Sequence, residues 1–150
     1  KVIDKAKQAG LPYLVLAPRE CENRASWERQ ILDFLIEQDV KLVVLAGFMR
    51  ILGKVILAAY PKKVLNIHPS LLPAFPGRKG ITDAYNESVS EPGVTVHYVD
   101  EGIDTGEIIA QEKLSIPSNW TLNQLEEAVH RIEHDLYPAS IQSVIEKGTN

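Results

Sequence analysis

A chain of 150 residues, 45% apolar and 24% charged, suits one ordinary globular domain with a sizeable core and is too hydrophobic for a disordered tail. Its formal charge of −4, with both signs interspersed, gives a nucleic acid backbone no basic stripe to follow, so no nucleic acid partner is expected. The single cysteine, Cys21, excludes an internal disulfide, and no segment reaches the roughly 18 apolar residues of a membrane helix; a reducing, cytoplasmic setting without a membrane partner is expected.

The sequence starts at Lys1 rather than methionine and in mid-pattern. Lys1 to Gln8 reads as the tail of a helix stopped by Gly10, so a start that is removed or absent is expected. Pro12 to Ala17 (PYLVLA) reads as a short apolar strand. Trp27, Ile31, Leu32 and Leu35 recur at helical spacing through Arg24 to Gln38, and Leu42 to Ala46 (LVVLA) is a continuous apolar run of buried-strand type. A short helix is expected over Gly53 to Tyr60, then a strand over Val64 to Ile67 that stops at His68-Pro69, because proline cannot continue a ladder. This alternation predicts an α/β fold: an open, mostly parallel twisted sheet with helices on both faces, whose ligands gather outside the carboxyl ends of the strands.

The second half changes character. Gly93 to Asp100 (GVTVHYVD) alternates, with Val94, Val96 and Tyr98 on one face and Thr95, His97 and Val99 on the other. Glu107 to Ile116 can return beside it through a tight loop that holds Gly102 and Gly106 together with Glu101 and Asp104. Thr121 and Gln124 spell a capping box, and Trp120 can staple onto Leu125. The helix that follows buries Leu122, Leu125, Val129, Ile132 and Leu136, and Pro138 is expected to bend or break it.

Asn66 and His68 have strand parity, so both project to one side at a strand end where a ligand crevice is expected. An amide that donates hydrogen bonds and an imidazole that donates or shuttles protons are what acyl transfer needs around a developing oxyanion. A polar turn, with Asn66 bonding backbone and His68 capping the strand, would use the same two residues, and the pair alone supports both readings equally. Asp104 completes the set if its loop folds over the same edge, since a carboxylate beside an imidazole favours the protonated ring. From spacing alone Asp104 is an ordinary turn residue.

Three segments carry a resemblance in order along the chain: AGFMRIL at Ala46 to Leu52, LNIHPSLLPAFPG at Leu65 to Gly77, and VHYVDEGIDTG at Val96 to Gly106. They resemble the phosphoribosylglycinamide formyltransferases, folate-dependent enzymes of purine biosynthesis. The asparagine, histidine and aspartate motif is also shared by methionyl-tRNA formyltransferase and formyltetrahydrofolate deformylase, whereas AGFMRIL points to the glycinamide ribonucleotide enzymes. The resemblance implies one formyltransferase domain over residues 1–150, of Rossmann-like fold, whose small-molecule substrates are glycinamide ribonucleotide and 10-formyltetrahydrofolate, as a monomer or homodimer without a metal. It implies catalytic roles for Asn66, His68 and Asp104. Met49, Arg50, Ile51 and Leu52, Asp100, Glu101, Gly102 and Ile103, and Arg24 fall on folate-site positions, to which Asn66 and Asp104 also belong. Glu133 falls on an acid that accepts hydrogen bonds from the ribose hydroxyls. Without the resemblance, Met49 to Leu52 read as a strand exit packed against Val55 and Ile56, and Arg24 and Glu133 as solvated helix residues.

Two departures stand against that pattern. The family's first strand and its glycine- and serine-rich phosphate loop have no counterpart in the sequence, and Arg78-Lys79-Gly80-Ile81 stands where many members carry histidines. An inactive folate-binding fragment is therefore the alternative within the family. From another class, His130-Arg131-Ile132-Glu133-His134 has the HxxEH spelling of a zinc hydrolase. Only 16 residues follow His134 to supply a third ligand, so solvated helix histidines are the preferred reading.

Overall fold

The computed structural model describes residues 2–117 and 119–148, which divide into two compact units. The first holds the residues up to Lys41 together with Leu52–Pro61. In it lie α1 (Val2–Gln8), a 3-10 turn at Pro18–Glu20, α2 (Arg24–Glu37) and α3 (Lys54–Ala59). Helix α2 starts where Asn23 caps it, its side chain accepting the Ser26 amide at 2.8 Å. It buries Trp27 and Leu32 of the expected stripe, and α3 buries Ile56. The Glu28 carboxylate packs directly against Gly53 at the start of α3, in the space a Cβ would occupy. Gly10, at φ +63°, ends the turn after α1 in the left-handed region that favours glycine.

The first unit also corrects one expectation. Pro12 to Ala17 forms no strand: the segment is extended without a ladder, and Tyr13, Leu14 and Val15 are exposed. An apolar run becomes a strand only when a neighbour takes its backbone hydrogen bonds, and no described strand pairs with this one.

The second unit holds Leu42–Ile51 and the residues from Lys62 onward. Its strands β1 (Val43–Val44), β2 (Val64–His68), β3 (Gly93–Tyr98) and β4 (Ile108–Lys113) lie in the sheet in that order, with α4 (Gly80–Asn86) and α5 (Leu122–Gly148) beside them. The α/β class expected from the sequence holds, and the sheet is mixed. It starts parallel, β1 on β2, and continues antiparallel through β3 and β4. The return of β4 beside β3 agrees with the sequence, but the antiparallel pairing of β3 with β2 departs from the mostly parallel order expected, because pairing direction depends on long-range register rather than on any local run. Helix α4 had no expectation attached to it.

Strand alternation decides what each face carries. Leu65, Val94 and Val96 point into a core closed by Leu125, Val129 and Tyr137 of α5, with Trp120 packed against it as expected of a staple. The capping box forms, the Gln124 side chain accepting the Thr121 amide at 2.9 Å while the Thr121 hydroxyl accepts the Gln124 amide at 3.3 Å. Pro138 does not break α5, which runs unbroken from Leu122 to Gly148. Tyr137, Ile141 and Val144 pack on the sheet on either side of the missing backbone donor, and that packing outweighs one lost hydrogen bond.

Candidate active site

The other face of the sheet is polar. Register pairs Asn66 of β2 with His97 of β3, and His68 with Thr95, so four hydrogen-bonding side chains share one side of two neighbouring strands. His68, Thr95 and His97 are all buried, which is unusual for their types and demands partners for every polar atom. Among the described residues no buried side-chain nitrogen or oxygen lacks one.

His97 Nδ1 donates to the Tyr98 carbonyl at 2.8 Å, a group that can only accept. Its Nε2 is left to accept from Asn66 Nδ2 at 3.3 Å, which fixes the rotation of the asparagine amide and leaves one N–H of that amide for a ligand. By the same logic, His68 Nε2 donates to the Phe75 carbonyl at 2.8 Å, which turns Nδ1 toward Asp104 Oδ2, 3.5 Å away. A proton on Nδ1 completes an imidazolium–carboxylate pair. Asp104 Oδ1 lies 3.6 Å from His97 Nε2, and Asp104 Oδ2 also accepts the Gly77 amide at 2.8 Å.

The loop that delivers Asp104 is tightly drawn. Asp100 Oδ1 accepts the Gly102 amide at 3.0 Å and the Thr105 hydroxyl at 2.8 Å, and a Cβ at Gly106 would collide with the Tyr98 carbonyl. Asp104 itself has φ +54°, a left-handed conformation that aspartate tolerates better than most residues. The structure thus brings Asn66, His68 and Asp104 together. It adds members the sequence reading did not single out: His97, the Phe75 carbonyl and the Gly77 amide. The only sequence signal for His97 was its place on the polar face of an alternating strand.

The remaining expected positions are distributed as follows. Met49, Arg50 and Ile51 lie in the second unit and are exposed, so Met49 and Ile51 are not the core residues that the packing alternative required. Leu52 is buried and Arg24 exposed, both in the first unit, where Arg24 Nε pairs with Glu28 Oε1 at 2.9 Å. Glu101, Gly102 and Ile103 are exposed along the Asp104 loop. In the departing segment, Arg78 Nη2 donates to the Met49 carbonyl at 3.0 Å, and a Cβ at Gly80 would lie 3.2 Å from His68 Nε2. Glu133, on α5, accepts from His130 Nδ1 at 2.8 Å. Among the described residues no group of three or more His, Cys, Asp or Glu could hold a metal ion, so the HxxEH spelling gathers no third ligand. No helix among them is long and apolar enough to cross a membrane.

The chain is similar to known proteins over nearly its whole length. The formyl transferase family pattern matches residues 1–141. Phosphoribosylglycinamide formyltransferase of Bacillus subtilis is 44% identical over 145 residues, which are 97% of this chain and 74% of that protein. The bovine trifunctional purine biosynthetic protein adenosine-3 is 39% identical over 142 residues, 95% of this chain and 14% of that one. Among solved structures, phosphoribosylglycinamide formyltransferase from Bacillus halodurans superposes with a TM-score of 0.93 at 43% identity, covering 99% of this chain and 76% of its own.

Proposed function

The chain belongs to the formyl transferase family, and from that premise we propose that it transfers the formyl group of 10-formyltetrahydrofolate to the amine of glycinamide ribonucleotide, a step of purine biosynthesis. The relatives that carry this name cover nearly all of the sequence. The family match spans both compact units, which supports reading them as parts of one transferase domain.

The observation that carries the reading is the Asn66, His68 and Asp104 cluster at the carboxyl end of β2. The amine nitrogen of the nucleotide attacks the formyl carbon, the carbonyl becomes an oxyanion, and collapse breaks the bond to the folate N10. One proton leaves the attacking nitrogen and one reaches the departing nitrogen. The free N–H of Asn66 suits the oxyanion as a donor, and a protonated His68, its two N–H groups held by the Phe75 carbonyl and Asp104, adds fixed positive charge to the site, since groups held rigidly in a buried site stabilise developing charge without reorganising. Asp104 faces His68 Nδ1 at 3.5 Å and suits both the charged ring and, through water, the proton transfer. The exposed Met49, Arg50 and Ile51, and the loop from Asp100 to Ile103, offer apolar side chains and backbone groups to a flat pteridine. Leu52 and Arg24 are assigned to the folate, and Glu133 to the ribose, on the resemblance alone.

Formylation of glycinamide ribonucleotide, measured in wild type and Asn66→Ala, tests the proposal. Loss of one oxyanion donor commonly costs about 10²–10³-fold in turnover. The variant is expected to melt like the wild type and fall by that factor; near-native turnover would refute the role of Asn66, and a wild type that binds the folate without turnover would leave the inactive-fragment reading standing.

A further inference from the structure

We propose that Gln111, acting through Thr95, is a positioning residue for His68; this rests on the transferase reading of the site. Register runs a polar row straight across three strands, His68 on β2 opposite Thr95 on β3, and Thr95 opposite Gln111 on β4. At its centre the Thr95 hydroxyl, fully buried, is saturated. It donates to the Ser70 carbonyl at 2.6 Å and accepts from the Leu72 amide at 3.0 Å and from Gln111 Nε2 at 2.8 Å. The same Gln111 nitrogen donates its second proton to the Leu72 carbonyl at 2.9 Å. Two side chains therefore pin three backbone groups of the segment that leaves β2.

That segment is what holds the reactive pair. Ser70 Oγ reaches across it to the Ala74 carbonyl at 2.5 Å, and the next carbonyl, Phe75, takes the His68 Nε2 proton. Two residues on, the Gly77 amide binds Asp104 Oδ2. Both members of the His68–Asp104 pair are thus tied to one loop, and the loop is anchored by Thr95 and Gln111. A displacement of about 1 Å in such a site can cost about 10²-fold in rate. Gln111 touches none of the proposed catalytic groups, and it is an exposed residue on the last strand of the described sheet. Replacing it removes two hydrogen bonds and no core.

The test compares Gln111→Met, Thr95→Val and Thr95→Ser with the wild type in two readouts: steady-state formyl transfer, and hydrogen exchange of the Leu72 and Gly77 amides. For Gln111→Met and Thr95→Val, kcat is expected to fall about 10–10²-fold with KM for both substrates within about twofold. Thr95→Ser, which restores the hydroxyl, is expected within about threefold of native kcat. The Leu72 and Gly77 amides should exchange about tenfold faster in Gln111→Met, because their loop has lost its anchor. Native kcat in Gln111→Met would overturn the proposal. So would Thr95→Ser falling as far as Thr95→Val, which would mean that volume and not the hydroxyl matters. If the wild type itself transfers no formyl group, the function reading fails instead. Exchange then decides the device alone: unchanged Gly77 exchange in Gln111→Met overturns it, and faster exchange supports it.

Discussion

Asp104 holds its carboxylate at the site from a left-handed backbone conformation, φ +54°. Asparagine tolerates that conformation as well and can still accept the Gly77 amide, so Asp104→Asn removes the charge while sparing the loop. Turnover is expected to fall about 10²–10⁴-fold, the usual range for a lost acid–base group, with thermal stability within about 0.5 kcal/mol of wild type. Steady-state assay with a parallel melt checks both; a variant that loses stability instead would recast Asp104 as a structural residue. At this scale Asn66 and His68 were legible because parity along β2 needs only local geometry. His97, Phe75 and Gly77 were not. Their roles come from contacts 7 to 31 residues away in sequence, and two of those three contacts use backbone atoms, which carry no residue signature.

At the level of elements, the joint between β3 and the Asp104 loop depends on Gly106, whose missing Cβ makes room for the Tyr98 carbonyl. Gly106→Ala is expected to destabilise the fold by about 1–3 kcal/mol, as overpacking does, and to lower turnover because the displaced loop carries Asp104. Denaturant titration and the formylation assay should move together; a variant with native stability and native turnover would contradict the close approach. Helix α5 offers the contrast. Thr121→Ala removes one half of the capping box and should cost about 1 kcal/mol with kcat unchanged, since the cap lies outside the proposed site. The two helix and strand surprises share a cause: PYLVLA had strand propensity without a described partner, and Pro138 had breaker propensity against the packing of Tyr137, Ile141 and Val144. Partnership decided both.

For the folded molecule as a whole, Tyr137 is the group whose titration reports on assembly of the second unit. Its single hydroxyl proton is shared between the carbonyls of Leu45 on the exit from β1, at 2.8 Å, and of Leu65 on β2, at 3.0 Å, and burial pushes its ionisation above the ordinary tyrosine value of about 10. Below about pH 10 the phenol is neutral in both folded and unfolded chains, and its contribution is fully present. Above that the unfolded chain ionises first, so stability is lost at up to about 1.4 kcal/mol per pH unit. Tyr137→Phe should be less stable by about 1–2 kcal/mol at neutral pH, and its deficit should shrink between about pH 9 and about pH 11. Urea unfolding of both proteins across that range measures it; a constant deficit would mean that the hydroxyl is not buried in the fold. By itself the sequence determined the α/β class, most helices and strands, the family, and the parity that aims Asn66 and His68 one way, because periodicity and short motifs are local properties of the chain. Only the tertiary structure decided that the second half turns the sheet antiparallel onto β2, which sets His97 and Thr95 opposite Asn66 and His68. It also closed the loop from Ser70 to Gly77 around the His68–Asp104 pair, since hydrogen bonds to backbone and across strands depend on register and fold, which no single stretch of sequence encodes.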